Sequence, residues 1–166
     1  MGASGQKAEH RVHNPRSTPR LNKERVGAVL QRCVGNVIED WLARAKKSSD
    51  LNRLLLSDEQ RTEHLPRLVE DLARRVDQSN ALAQATNASP SPAAAAHGQL
   101  RYRQGYTPAM LVDEARILEV TIFGTLHGNL DHLDFSLLLS DVMAIADEVD
   151  SQLTQSIVSY MRCLPV

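Results

Sequence analysis

The stretch that decides the fold covers residues 97–118 and reads HGQLRYRQGYTPAMLVDEARIL. Gly105 is typical of the residue just past the end of a helix, because glycine tolerates the left-handed backbone found there. Thr107 and Pro108 then suit the cap and the first residue of a new helix. The stretch therefore predicts two helices joined at a tight corner, called here the Gly105 corner.

Five side chains at this corner form our candidate signal or ligand site: His97, Arg101, Gln104, Tyr106 and Glu114. Because the first three are spaced four and three residues apart, they share one face of a helix. We expect Arg101 to pair with Glu114, and His97 to respond to pH or to hold an anionic ligand beside Arg101. The alternative is an ion pair that only fixes the angle of the corner.

The sequence before the corner is also helical. Apolar residues recur every three or four positions from Val26 to Ala45, which predicts one helix of about six turns. Ser57 and Gln60 predict a capping box at the start of a short helix, and Pro66 predicts that a new helix begins nearby. Residues 79–92 carry no charge and are rich in Ser, Asn, Ala and Pro, so we expect a loop there.

The C-terminal part predicts one long helix from about Phe135 to Met161, capped by Asp134. Its second half is polar apart from one apolar stripe, as expected of a helix that leaves the globule and pairs with its twin in a dimer. The residues assigned to this dimer and output helix are Val142, Ile145, Val149, Leu153, Ile157 and Tyr160.

The composition favours an all-α protein. The 166 residues include only 8 Gly, 7 Pro and 4% aromatic residues, too few for a turn-rich β fold or an aromatic base-binding site. The sequence contains no phosphate-binding glycine loop, nucleophile elbow, HExxH motif or kinase signature. We therefore expect a helical bundle without catalytic activity.

Charge divides the chain into two parts. Residues 1–20 hold four basic residues and one acidic residue, which predicts a disordered basic arm before a single helical domain over 21–166. That domain has 15 basic and 19 acidic residues, so we expect no nucleic-acid partner. A DNA-associated adaptor would depend on the arm alone.

The cysteines and the hydropathy pattern indicate a compartment. Cys33 and Cys163 lie far apart, without the spacing of a disulfide framework or a zinc site. No apolar stretch reaches the length of a membrane span, and residues 1–20 lack the apolar core of a signal peptide. We expect a cytoplasmic protein that does not insert into membranes.

Two cofactor alternatives remain open beside the favoured expectation of no cofactor. His127, Asp131 and His132 offer ligands for zinc or iron between the last two helices, where such residues also serve as turn formers. A haem would need one axial histidine facing an apolar pocket, and His64, His97 and His127 lie on or beside helices. The alternative function is therefore a haem- or metal-binding helical protein, either a gas sensor or a small enzyme.

Residues 37–160 resemble the N-terminal domain of the RsbT co-antagonist family, of the RsbR and RsbRD type, which also precedes bacterial sensor histidine kinases. The most specific likeness is HGQLRYRQGYT at 97–107. Three looser pieces accompany it: IEDWL at 38–42, EHLPRL at 63–68 and LVDEARIL at 111–118. Ala115 departs from the family, where an aromatic residue often follows the glutamate.

The resemblance implies a globin-related helical fold that usually lacks haem, forms dimers and passes a signal through its last helix. In that family the output is a kinase or a stressosome STAS domain. We accordingly expect a non-catalytic sensory and dimerisation module of bacterial signal transduction, of the two-component or stressosome kind. It would be either an excised sensor domain or a stand-alone version of one.

Overall fold

The computed structural model describes residues 23–81 and 89–165; the expected basic arm and residues 82–88 of the expected loop lie outside this part of the chain. The described residues form no strand, only an isolated bridge between Glu24 and Leu133, so the all-α prediction is confirmed. The α-helices are α1 (Val26–Arg32), α2 (Val34–Ala45), α3 (Asp58–Thr62), α4 (Leu65–Ala81), α5 (Pro92–Arg103), α6 (Pro108–His127) and α7 (Leu138–Met161).

Local signals in the sequence set several helix ends. The Ser57 hydroxyl accepts from the Gln60 backbone N–H at 3.1 Å, and the Gln60 side chain accepts from the Ser57 N–H at 2.9 Å. Gly105 has φ of 81°, and the Thr107 hydroxyl caps α6 by accepting from the Met110 N–H at 3.3 Å. The capping box and the Gly105 corner are therefore confirmed.

The prediction of one continuous helix over the first apolar stripe is wrong. The chain turns at Cys33, which separates α1 from α2. α1 packs mainly against α4, whereas α2 packs mainly against α6. Tertiary packing therefore overrides the periodic pattern at Cys33.

The last helix begins later than the sequence indicates. Residues 135–137 form a turn, and α7 starts at Leu138. Asp134 accepts from the backbone N–H of Ser136 at 3.0 Å and from its hydroxyl at 2.6 Å, so its carboxylate closes this turn instead of capping the helix.

The second half of α7 does not leave the globule. It packs along α5 in the most extensive helix contact of the described residues, and α4 also contacts α7. Gly98 of α5 makes the crossing close, because a Cβ atom there would overlap the backbone carbonyl of Ser156. The Ser156 hydroxyl donates to the Ala94 carbonyl oxygen at 2.9 Å across the same contact.

The helices enclose one apolar core. Its largest fully buried members include Trp41, Leu30, Leu72, Ile122 and Ile145, from five helices. Within residues 23–81 and 89–165, none of the helices combines the length and the apolar character that crossing a membrane requires.

Candidate functional site

The Gly105 corner brings the five candidate side chains together, and we call them the corner cluster: His97, Arg101, Gln104, Tyr106 and Glu114. Arg101 is fully buried, Glu114 is 3% exposed and His97 is 6% exposed. Charged residues are almost never buried to this extent without partners, so each contact in the cluster matters for stability.

The centre of the cluster is the predicted ion pair of Arg101 and Glu114. Nε of Arg101 donates to Oε2 of Glu114 at 3.0 Å, and Nη2 donates to Oε1 in parallel. Nη2 also donates to the Arg61 carbonyl oxygen at 2.9 Å, and Nη1 donates to Gln104 Oε1 at 2.6 Å. The guanidinium therefore ties α5 to α6 and to α3.

Two residues complete the surroundings of the guanidinium. Cζ of Arg101 lies 4.5 Å from the ring centre of Tyr106, within the range of a cation–π contact. Gln104 donates to the Gln60 carbonyl oxygen at 2.9 Å. The backbone carbonyl of Tyr106 accepts from the Tyr160 hydroxyl at 2.7 Å, so the corner is also anchored to the end of α7.

His97 reaches the same carboxylate from the other side. Its Nε2 lies 3.4 Å from Oε2 of Glu114. The His64 ring stacks against the His97 ring, with centroids 4.8 Å apart and an angle of 29° between the planes. The sequence pointed to His64 only as one of three haem candidates, since no local signal places a residue before α4 beside a residue in α5.

Burial and nearby charges shift the pKa values of two residues of the corner cluster and of the neighbouring His64. Burial alone would raise the pKa of Glu114, but the charges and hydrogen bonds of Arg101 and His97 outweigh it and lower that pKa to about 2. Burial, with the Arg101 charge, lowers the pKa of His64 to about 3. Burial and the Glu114 charge raise the pKa of Tyr106 to about 12. The corner cluster thus contains an anionic Glu114, and the neighbouring His64 is neutral.

A small cavity joins the corner cluster to the last helix. Its volume is about 30 Å³, and its walls include His97 and Glu114 on one side and Val149, Leu153 and Ser156 of α7 on the other. This volume holds about one water molecule, whereas pockets for small organic ligands usually measure roughly 300–1,000 Å³. A haem beside His97 would require these helices to move apart.

The alternative metal ligands do not come together. His127, Asp131 and His132 are exposed, and no three ligand atoms among them form a group in the described residues. The backbone here has another task, because the His132 carbonyl oxygen accepts from the Glu24 N–H at 2.7 Å. The group that does form consists of His64, His97 and Glu114, whose ligand atoms all lie within 4.8 Å of one another.

The residues assigned to a dimer and output helix fall into two sets. Ile145, Val149 and Tyr160 are buried inside this chain, so no second copy can contact them without opening the fold. The other three are half-buried: Val142, Leu153 and Ile157. The exposed apolar residues of α7 are instead Leu139 and Met143 near its start, with Val158 and Met161 near its end.

A second buried ionic group lies between α4 and α7, and the sequence analysis did not predict it. Nε of Arg75 lies 2.8 Å from Oδ2 of Asp71 and 3.7 Å from Oε1 of Glu148. The Ser91 hydroxyl donates to the same Asp71 oxygen at 2.6 Å. Burial raises the pKa of Glu148 to about 7, with Arg75 opposing the shift and Asp71 adding to it.

Comparison of the chain with protein-family models, with curated proteins and with solved structures gives no match. The corner cluster, its cavity and the packing of α7 are therefore the structural features from which a function can be inferred.

Proposed function

We propose that the protein is a non-catalytic sensory and dimerisation module of bacterial signal transduction in the cytoplasm. A change at the corner cluster would pass through α7 to a kinase or a STAS-type output. The resemblance of residues 37–160 to the RsbT co-antagonist N-terminal domain supports the class of protein and its globin-related fold. The geometry of the corner supports the place where a signal would act.

The observation that carries this proposal is the cavity shared by the corner cluster and α7. His97 and Glu114 line it together with Leu153 and Ser156, so a rearrangement of the carboxylate alters the surface on which α7 packs. The hydrogen bond from Tyr160 to the Tyr106 carbonyl gives a second link between the corner and α7. A packed helix contact of this kind shifts between discrete arrangements.

The buried ion pair suits a switch better than it suits a simple brace. Burying a charged pair is often no more stabilising than packing apolar side chains in the same space, whereas breaking it costs several kcal/mol. A ligand, proton or partner that competes for Glu114 would therefore have a large effect on the fold. Such a competitor biases the equilibrium between two states of the module.

A double-mutant cycle tests the coupling between corner and α7. We expect Glu114→Gln and Leu153→Ala, both at the cavity, to show an interaction free energy of at least about 0.5 kcal/mol in urea unfolding. The matched pair is Glu114→Gln with Val142→Ala, on α7 about 16 Å along the helix from Leu153 and outside the cavity lining. Additive effects in the first pair would contradict the proposal.

The dimer part of the proposal has its own test. Leu139 is 75% exposed and Met143 is 64% exposed, one turn apart on the outer face of α7. We expect the wild-type chain to sediment as a dimer, and Leu139→Glu with Met143→Glu to sediment as a monomer. Leu55→Glu is the control, because Leu55 is 99% exposed and does not belong to α7. A wild-type chain that stays monomeric at high concentration would refute dimerisation.

A further inference from the structure

The corner contains three buried ring nitrogens without hydrogen-bond partners. They are both nitrogens of His64 and Nδ1 of His97. Buried polar atoms in folded proteins nearly always have a partner, and exceptions need an explanation such as an ion. The contact of His97 Nε2 with Glu114 accounts for one nitrogen of that ring. Neither this contact nor the Arg101–Glu114 pair explains the His64 imidazole beside them.

The separation of the two rings matches that of two imidazoles on one metal ion, and the stacked rings would have to rotate for each to point a nitrogen at that ion. Their centroids are 4.8 Å apart. Two imidazoles bound to one tetrahedral zinc ion have centroids about 5 Å apart, given Zn–N distances of roughly 2.0–2.1 Å. One ligand atom each from His64, His97 and Glu114 lies within 4.8 Å of the other two, so small side-chain movements would bring all three onto one ion.

The donor set has a recognisable chemistry. Two imidazoles and one carboxylate are ligands that zinc and neighbouring first-row divalent metals accept. The cavity beside His97 and Glu114 has room for a water molecule as the fourth ligand.

Arg101 is the group that opposes a cation here. Its guanidinium takes one hydrogen-bonding position on each oxygen of Glu114, while a carboxylate offers about four positions in all. Arg101 therefore leaves room for a metal and holds the carboxylate in place, as residues behind metal ligands commonly do. Its positive charge lowers the affinity of the site for a metal ion, and a bound ion would in turn weaken the Arg101–Glu114 pair.

We propose that His64, His97 and Glu114 bind one divalent transition-metal ion of the zinc type. The metal ion would be the ligand that the corner cluster senses, and this part of the inference rests on the proposed function. Binding of the metal ion would weaken the Arg101–Glu114 ion pair. This pair lies next to the cavity that α7 lines.

Titration of the full chain with Co²⁺, followed by the visible absorption of the ion, tests this site. We expect one Co²⁺ per chain with a tetrahedral spectrum, displaced by Zn²⁺. His64→Leu and Glu114→Gln should each weaken binding by at least about tenfold. His127→Ala with His132→Ala, and His10→Ala with His13→Ala, are the matched controls and should bind as the wild type does.

Folding of the variants is checked by thermal unfolding without metal. His64→Leu should melt no lower than the wild type, because it removes two unpartnered buried nitrogens. The proposal is overturned if no Co²⁺ binds, if folded His64→Leu binds as tightly as the wild type, or if either control pair abolishes binding. Each of these results leaves the double-mutant cycle untouched, so failure of the metal site is distinct from failure of the signalling proposal.

Discussion

Arg101 is the residue on which the corner depends most. It donates to Glu114, to Gln104 and to the Arg61 carbonyl, so no water is needed to satisfy it. Lysine cannot replace this arrangement, because one ammonium group lacks the planar fork that grips both carboxylate oxygens. The specificity of the corner thus lies in the shape of the guanidinium as well as in its charge.

We predict that Arg101→Lys lowers the free energy of unfolding by about 3 kcal/mol, since it leaves Glu114 buried and incompletely paired. Urea unfolding at neutral pH measures this change. Arg103→Lys, on the exposed side of α5, is the control and should change stability by less than about 0.5 kcal/mol. Equal changes in the free energy of unfolding for the two substitutions would show that the Arg101–Glu114 pair contributes no more to stability than an exposed charge does.

Glu148 gives a pH dependence of known sign. Its pKa rises from 4.5 to about 7 on folding, so the folded state holds a proton that the unfolded state loses, and stability falls as pH rises through that window. We predict that Glu148→Gln is more stable than the wild type by about 2 kcal/mol at pH 8, with little difference at pH 4. Urea unfolding across this range is the measurement, with exposed Asp150→Asn as the control. A difference that does not vary with pH would contradict the assignment.

The residues show which parts of the site were predictable. Arg101 and Glu114 were paired correctly because Gly105 and Thr107 define the corner between them within a few residues. His64 was not placed beside His97, since that contact joins the residue before α4 to α5 across the fold. Local capping and turn chemistry is written in neighbouring residues, whereas stacking between distant helices depends on how the whole core packs.

At the scale of elements, the contact between α5 and α7 depends on Gly98. A glycine inside a helix costs about 1 kcal/mol relative to alanine, so its presence in α5 signals a packing requirement. The glycine itself is visible in the sequence, but nothing in the sequence indicates that Ser156 is the residue it packs against. The turn at Cys33 was likewise invisible, because both α1 and α2 keep the same helical period.

We predict that Gly98→Ala destabilises the protein by about 1–3 kcal/mol, because its methyl group would overlap the Ser156 carbonyl. Gly35→Ala is the matched control in α2, where nothing lies within 4 Å of the new methyl group. It should stabilise the protein by up to about 1 kcal/mol. Thermal unfolding of both variants is the measurement. If Gly98→Ala were also stabilising, the close crossing of α5 and α7 would be refuted.

At the scale of the whole molecule, the protein is a helical bundle with one apolar core, and a buried charged cluster lies at the Gly105 corner. The composition predicted the helices, because the chain has few glycine, proline and aromatic residues. The position of α7 was not predictable, because its polar second half suggested an exposed helix. In the structure those polar residues include Gln152, Ser156 and Ser159, which are buried against other helices of the same chain.

We propose that a change at the corner cluster loosens the packing of α7 and leaves the stability of α1 unchanged. Amide hydrogen exchange of Glu114→Gln, compared with Glu119→Gln on the same helix, measures this most directly. We predict that amides over 149–157 exchange at least about tenfold faster in Glu114→Gln, while those of α1 keep their wild-type rates. Faster exchange to the same extent in α1 and α7, or unchanged exchange in α7, would contradict the claim.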